Sequence, residues 1–221
     1  MSRRSKFMWA LALLPIALAG EAMAHPHVWI EMRSDIVFTD DGKIKGVNII
    51  WTFDDNYTQM ALDGLDTNGD GVYSQPELDP LTKENIASLE DYDFFTVMRF
   101  NGEKLAIGKV TEYGQIWSAD KLQLHFQVPL KDPLDPQSGE FQVKVYDPDF
   151  FIAMDYVKDD PVSVVGNIPA SCRLDVRPVP TGEEIQQTQQ MLSEKGPDWK
   201  PENNEDFGAM FAQPVLIQCK A

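Results

Sequence analysis

Apolar and polar residues alternate along much of the chain, and this pattern predicts a protein built mainly from β-strands. Alternation begins over 28–33 and is clearest over 122–130, where every second residue is apolar. Because successive side chains of a strand point to opposite faces, each such segment can turn one face toward a core. Strand signals recur in seven further segments: 47–53, 94–100, 104–112, 141–145, 162–165, 172–176 and 215–219.

Turn residues separate several of these segments. Asp40-Asp41-Gly42-Lys43 predicts a turn between the first two strands, and Asn101-Gly102 predicts a hairpin. Short strands that follow one another through turns favour an antiparallel β-sandwich or an open barrel. They disfavour the two-lobed binding-protein fold, in which strands and helices alternate.

Helical spacing of apolar residues interrupts the strands. It predicts an entering helix over 56–65, and an exiting helix that Pro76 and Pro80 break, so that it resumes over 81–89. A short polar helix is predicted over 183–194. The fold class is therefore mainly β, with a helix-loop-helix inserted at about 56–92 and a short C-terminal helix.

The first 24 residues have the pattern of a secretory signal peptide. Three basic residues precede an apolar run over 7–19, and Ala-Met-Ala at 22–24 is typical of a cleavage site. The run is shorter than the roughly 18 residues that cross a bilayer, which disfavours a lasting membrane anchor. Arg3-Arg4 is only a partial twin-arginine signal, so general secretion is favoured. We expect a periplasmic protein with one β-rich domain over 25–221.

The net charge of the chain indicates which kinds of binding partner are disfavoured. Removing the leader takes away three basic residues and one acidic residue, and changes the formal charge from −16 to −18. An acidic surface disfavours binding to nucleic acid or to anionic lipid. It serves solubility and attracts cations.

Residues 66–77 match the twelve-residue calcium loop of the EF-hand. Calcium takes six to eight oxygen ligands, and the EF-hand supplies them from loop positions 1, 3, 5, 7, 9 and 12. The predicted calcium ligands are Asp66, Asn68, Asp70, the carbonyl of Val72, Ser74 and Glu77. Gly71 permits the backbone reversal at position 6. The alternative is an acidic surface turn without an ion, and a lone loop of this kind favours a structural role over signalling.

Histidine is rare in this chain and is concentrated at the predicted mature terminus. Cleavage after residue 24 would leave His25-Pro26-His27, whose two rings and terminal amine could bind Zn²⁺, Ni²⁺, Co²⁺ or Cu²⁺. Pro26 has no amide proton and excludes the square-planar mode that uses backbone amides. We expect this pair on a polar, accessible face. His125 lies on the polar side of its strand and could join the pair if the strand order allowed.

Two cysteines occur, Cys172 and Cys219, each in a strand-like segment. An even pair in an exported chain predicts a disulfide between the last strand and an earlier one. The alternative is a pair of thiolate metal ligands.

Four motifs together resemble a known family. They are His-Pro-His-Val-Trp after the leader, Asn-Ile-Ile-Trp-Thr-Phe-Asp-Asp over 48–55, the loop starting at Asp66, and Tyr-Asp-Pro-Asp-Phe-Phe over 146–151. They resemble a bacterial periplasmic family of unknown function, often labelled the periplasmic component of an uncharacterised ABC-type transport system. The resemblance implies handling of nickel, cobalt or zinc beside a metal transporter. The calcium loop is not expected throughout that family.

Three functions remain open at this point. The first is an exported calcium-binding protein that serves as an accessory to transition-metal transport through His25 and His27. The second is an envelope interaction module in which calcium is a stabilising clamp. The third, a copper enzyme using His25 and His125, is disfavoured, because no nucleophile motif, phosphate loop or cofactor fingerprint occurs; we expect no enzymatic activity.

Overall fold

Strands account for most of the regular structure in the computed structural model, which describes residues 26–195 and 206–220. The strands are β1 (Val28–Phe38), β2 (Ile44–Phe53), β3 (Thr96–Phe100), β4 (Glu103–Lys104), β5 (Tyr113–Ser118), β6 (Lys121–Leu134), β7 (Phe141–Val145), β8 (Ile152–Tyr156), β9 (Val162–Val165), β10 (Cys172–Val176) and β11 (Val215–Cys219). The α-helices are α1 (Asp55–Leu62), α2 (Gln75–Glu90), α3 (Glu183–Ser193) and α4 (Gly208–Phe211), with 3-10 turns at Asp93–Phe95 and Pro136–Ser138. The leader and His25 lie outside the described residues.

These strands form two sheets. The first has the order β5-β6-β2-β1-β8, and β9 also pairs with β1 beyond the end of β8. The second has the order β10-β11-β7-β3-β4 and is antiparallel throughout. Only the pairs of β1 with β8 and with β9 are parallel among the described strands. The prediction of a mainly β fold is confirmed, and neither described sheet closes into a barrel.

One hydrophobic core lies between the two sheets. Trp51, 2 % exposed, stands on β2 and meets Phe126 of β6 edge to face, with ring centroids 4.9 Å apart. The ring centroid of Phe95, directly before β3 of the second sheet, lies 6.3 Å from that of Trp51. Such aromatic pairs contribute packing beyond the apolar area that they bury. The two sheets therefore form a sandwich that shares a single core.

The predicted helix-loop-helix lies between β2 and β3, as α1 and α2. Helix α1 begins where Asp54 caps it, because the Asp54 carboxylate accepts hydrogen bonds from Asn56 N and Tyr57 N at 2.8 and 2.9 Å. The other carboxylate oxygen accepts from Trp29 N at 2.8 Å and holds the helix start against β1. The helix ends at Leu62, three residues before the predicted end.

The prediction that Pro80 breaks the second helix is wrong. Helix α2 runs without interruption from Gln75 to Glu90, with Pro80 inside it. Leu78, Thr82 and Ile86 recur every four residues and are buried, so one face packs continuously across the proline. Proline in a helix removes one backbone hydrogen bond, and the burial of this face offsets that loss.

The strand predictions differ from the structure in two regions. Residues 104–112 do not form one strand, because β4 ends at Lys104 and only Ile107 bridges to Leu130 afterwards. Residues 93–95 have positive φ angles of about 50° and turn the chain before β3 begins. The hairpin at Asn101-Gly102 is confirmed, with Phe100 paired to Glu103 across it.

Cys172 and Cys219 form the predicted disulfide. They stand opposite each other in the β10–β11 register, with Cα atoms 3.9 Å apart. The bond links strands that are 47 residues apart in sequence, as expected of a protein folded in an oxidising compartment.

None of the helices within 26–195 and 206–220 has the length and apolar character needed to span a bilayer.

Candidate metal centre

The predicted calcium loop joins α1 to α2 on the surface of the protein. Asn68, Asp70, Val72 and Ser74 are exposed, and only Asp66 and Glu77 are half-buried. All six predicted ligands therefore lie within twelve residues that solvent can reach. None of them depends on a distant part of the chain for its position.

The Asp66 carboxylate lies at the centre of the loop backbone. Its Oδ1 accepts hydrogen bonds from the N–H groups of Gly69 and Asp70 at 2.8 and 3.2 Å, and its Oδ2 accepts from Gly71 N at 2.9 Å. Gly69 and Gly71 have φ angles of +72° and +76°, in the left-handed region that glycine adopts without strain. The loop backbone is therefore folded around its first carboxylate, that of Asp66.

The next two polar residues repeat this local geometry. Asn68 Oδ1 accepts from Asp70 N, and Asp70 Oδ1 accepts from Val72 N, both at 2.8 Å. The Asn68 amide also donates to Asp70 Oδ2 at 3.0 Å. Side chains that bond to the backbone two residues on are typical of Asx turns. The side chains at loop positions 1, 3 and 5 thus all bond to the backbone of the loop.

Glu77 ties the two ends of the loop together. Its Oε2 accepts from Ser74 N and Oγ at 3.0 and 2.7 Å, where Ser74 is the N-cap of α2. Its Oε1 accepts from Thr67 N and Oγ1, both at 2.9 Å. These hydrogen bonds, those from Ser74 first, lower the pKa of Glu77 to about 2. The side chain is therefore anionic at any physiological pH.

The donor set fits calcium in chemistry, whereas the carboxylates are not gathered into one shell. Carboxylate, amide, hydroxyl and carbonyl oxygens are the hard ligands that calcium prefers. Across the described residues, however, no three side chains of His, Cys, Asp or Glu stand close enough to share a metal ion. The three loop carboxylates instead accept hydrogen bonds from the loop itself. A carboxylate oxygen keeps a second lone pair beside the one that accepts a hydrogen bond, so calcium binding would require Asp66, Asp70 and Glu77 to move closer together without giving up these bonds.

The loop and α2 are held to β5 by contacts that the sequence reading missed. Tyr73 meets Trp117 edge to face at 5.3 Å, and Gln75 Nε2 donates to the Gln115 carbonyl at 2.8 Å. The Thr82 hydroxyl lies 3.0 Å from Gln115 Oε1. A polar residue between Leu78 and Ile86 on the buried face of α2 was the signal that could have indicated this contact.

The predicted site at the amino terminus is only partly described. His27 precedes β1 and donates its backbone N–H to Phe151 O at 2.8 Å. Its ring packs against Phe151 with centroids 4.5 Å apart, and its Nε2 is shielded from solvent. His27 is half-buried, so it is less accessible than a residue on a fully exposed polar face. Its predicted partner His25 lies outside the described residues.

His125 is exposed on β6, as predicted, and does not approach His27 within one chain. Ile50 of β2 pairs with Arg33 on one side and with His125 on the other. His125 is therefore level with Arg33, which is six residues beyond His27. At about 3.3 Å per residue, this separation is roughly 20 Å along the sheet.

Comparison with known proteins identifies the family. The sequence model of the family described as "Protein of unknown function (DUF1007)" matches residues 10–219, nearly the whole chain. The chain belongs to the DUF1007 family. Among its relatives, an "Uncharacterized protein" of Haemophilus influenzae is 25% identical over 210 residues, which cover 94% of this chain and 97% of the relative. An "Uncharacterized 15.5 kDa protein in trpE 3'region" of Spirochaeta aurantia is 31% identical over 105 residues, 48% of this chain and 74% of the relative.

The resemblance to a family of unknown function is thereby confirmed in its coarser part. The description of the family and the names of the two relatives state no ligand, activity or role in transport. The function must therefore be argued from the residues and contacts of this chain.

Proposed function

We propose that this protein is an exported calcium-binding protein in which the ion stabilises the α1-loop-α2 hairpin on the first sheet. The observation that carries the proposal is the loop geometry, with Asp66 at its centre and Glu77 joining its two ends. The donor spacing and the positive φ angles at Gly69 and Gly71 support it independently.

Electrostatic repulsion within the loop is a physical reason for a bound cation to stabilise it. Asp66, Asp70 and Glu77 place three negative charges within one exposed loop, and the four ion pairs between described side chains include none of them. A divalent cation relieves their mutual repulsion. Because Tyr73 and Gln75 connect the same loop to β5, stabilising the loop also stabilises the contact between the hairpin and the sheet.

Export is part of the same proposal. The leader pattern over residues 1–24 and the disulfide between Cys172 and Cys219 both favour an oxidising compartment, and we assign the protein to the periplasm. Free calcium is far more abundant outside the cytoplasm than within it, so an external site functions with modest affinity. Extracellular calcium modules bind with dissociation constants of about 10⁻⁴ to 10⁻³ M.

The test is calcium titration of the mature protein after removal of divalent ions with a chelator. Calorimetry should show saturable heat, and the melting temperature should rise with calcium, because a ligand at 100 times its Kd stabilises by roughly 2.7 kcal/mol. Glu77→Gln should abolish both effects. Glu84→Gln, which removes the same charge from an exposed position of α2, should preserve them. Absence of heat and of a melting shift at ~10 mM calcium, well above those constants, would overturn the proposal.

We further propose that this protein handles transition metals beside an envelope transporter and binds them through His25 and His27. The backbone hydrogen bond from His27 to Phe151 fixes the start of β1. Binding of Zn²⁺, Ni²⁺, Co²⁺ or Cu²⁺ through the shielded Nε2 would have to draw the His27 ring from its packing on Phe151. Each metal should then bind the mature chain with an affinity that His27→Ala lowers and His125→Ala does not. Equal affinity in both variants would remove this role and leave the calcium proposal standing.

A further inference from the structure

A cleft of about 510 Å³ lies along the outer edge of the first sheet. One wall is formed by residues 152–155 of β8. The opposite wall is formed by α3, through Ile185 and Gln189, and by the turn over 179–182. We call it the β8 cleft. It is of the size that small ligands and short peptide segments occupy.

The cleft follows a strand edge that has no strand partner in the described part of the protein. Strand β8 is the last in its row and pairs there only with β1. Successive residues of a strand point to opposite faces, so a cleft that contacts four in succession runs along the strand edge. Such an edge presents N–H and C=O groups that another extended segment can bind.

The two charged side chains that line the cleft among the described residues, Asp147 and Asp155, are both acidic. Asp155 lines it, and Glu31 stands beside Asp155 in the β1–β8 register. Partial burial, and then the charge of Glu31, raise the pKa of Asp155. No described ion pair engages either carboxylate. Asp147 also lines the cleft, and its oxygens accept the backbone N–H groups of Asp149 and Phe151 in the preceding turn and of Ile152, the first residue of β8, whose N–H is therefore already engaged.

Aromatic side chains complete the walls. Trp29, 44 % exposed, lies on the same face of β1 as Glu31. Phe150 and Phe211 pack together with centroids 4.4 Å apart and also line the cleft. An indole face next to carboxylates favours a cationic group with an apolar stem, because the ring attracts cations and buries methylenes. Lysine and arginine side chains have this composition.

Two of the motifs noted in the sequence meet in this cleft. His-Pro-His-Val-Trp contributes Pro26 and Trp29, and Tyr-Asp-Pro-Asp-Phe-Phe contributes Tyr146, Asp147 and Phe150. More than a hundred residues separate them along the chain. The calcium loop contributes nothing to the lining, so the cleft is independent of the proposed calcium site.

We propose that the β8 cleft binds an extended segment of a protein partner that carries a lysine or arginine. The partner backbone adds to the edge of β8 beyond Ile152, and its cation lies near Asp155 and Glu31. Four residues of β8 line the cleft, which corresponds to about 13 Å of extended chain. Main-chain hydrogen bonds then give affinity, and the acidic pair with Trp29 gives specificity.

The test is to pan a phage-displayed library of random heptapeptides against the mature protein. We expect the enriched sequences to share one Lys or Arg position. A synthetic peptide with the enriched sequence should bind at least tenfold more weakly to Asp155→Asn than to the unchanged protein. Asp159→Asn, which removes the same charge from an exposed position outside the cleft, should bind it normally. The thermal midpoint of each variant shows whether it is folded.

A second comparison separates strand addition from simple capture of a cation. Methylating alternate backbone nitrogens of the peptide removes donors without changing the side chains, and should weaken binding at least tenfold. Free acetyl-lysine amide should bind far more weakly than the peptide. No enrichment, enrichment without a basic residue, equal binding to the two variants, or full affinity of the methylated peptide would overturn the proposal.

Discussion

The Thr82 hydroxyl of α2 lies 3.0 Å from the side-chain oxygen of Gln115 on β5, and both residues are buried. The same hydroxyl lies 2.9 Å from the Leu78 carbonyl one turn earlier in its helix. A polar contact thus stands inside the apolar interface between the helical hairpin and the first sheet. Because buried polar groups lose hydration, this contact specifies how α2 sits on β5.

Replacing Thr82 with valine should therefore destabilise the protein, although the two side chains have nearly the same shape. The substitution leaves Gln115 Oε1 without its hydroxyl partner in a buried position. Leaving such a group unsatisfied costs about 1–3 kcal/mol. Urea denaturation should measure this loss. Thr82→Ser retains the hydroxyl and should recover a large part of it; equal stability of all three proteins would contradict the role assigned to the contact.

Glu77 should titrate at unusually low pH. Its folded pKa is about 2, below that of an unfolded glutamate, because Ser74 and Thr67 donate to the ionised form. The resulting stabilisation is fully present above the unfolded pKa of roughly 4.3 and is lost as pH falls through the folded value. A carboxyl ¹³C NMR titration should show the low value. Ser74→Ala, which removes one donor, should raise it, and an unchanged pKa in that variant would contradict the assigned cause.

The elements that the sequence predicted correctly depend on local patterns. Strand β6 alternates over 121–130, as predicted, and the ends of β9, β10 and β11 agree with the predicted segments. Strand β5 was missed because Gly114 and Gln115 interrupt its apolar alternation, and Gln115 is buried all the same. Strand β8 was missed because it is short and is held by a parallel pairing with the distant β1, which a local pattern cannot indicate.

The two candidate sites also differ in how well local sequence patterns indicate them. The proposed calcium loop can be inferred from the sequence because one stretch of twelve residues contains every proposed ligand, and residue type and spacing are enough to indicate them. The β8 cleft draws on residues from Pro26 to Ala212. Only the strand order brings Trp29 and Phe150 to the same cleft, so their common role could not be inferred from either motif alone.

The disulfide should contribute a large part of the stability of the second sheet. It closes a loop between Cys172 and Cys219, which are 47 residues apart, and the chain-entropy model assigns such a loop roughly 4 kcal/mol. In the double variant Cys172→Ser and Cys219→Ser, the free energy of unfolding measured by urea denaturation should be lower by roughly this amount. Thiol titration of the unchanged protein under denaturing conditions should find no free cysteine. Two reactive thiols, or a stability unaffected by the double substitution, would contradict the prediction.

Asp155→Asn should have opposite effects on stability and on peptide binding. Partial desolvation of the exposed Asp155 side chain, and then the charge of Glu31, raise its folded pKa, so its charge opposes folding once pH exceeds that pKa, and the penalty disappears below the unfolded pKa. The variant should therefore melt at a higher temperature than the unchanged protein at pH 7, and the difference should shrink as pH is lowered.

Asp159→Asn separates this local effect from a change in net charge, because it removes the same charge from a position outside the cleft. Its melting temperature at pH 7 should rise less than that of Asp155→Asn. A carboxylate that costs stability and yet is required for binding is characteristic of a functional site, whereas a carboxylate with only a structural role would lower stability when it is neutralised. A lower melting temperature for Asp155→Asn with unchanged peptide affinity would therefore assign Asp155 to the fold instead of the cleft.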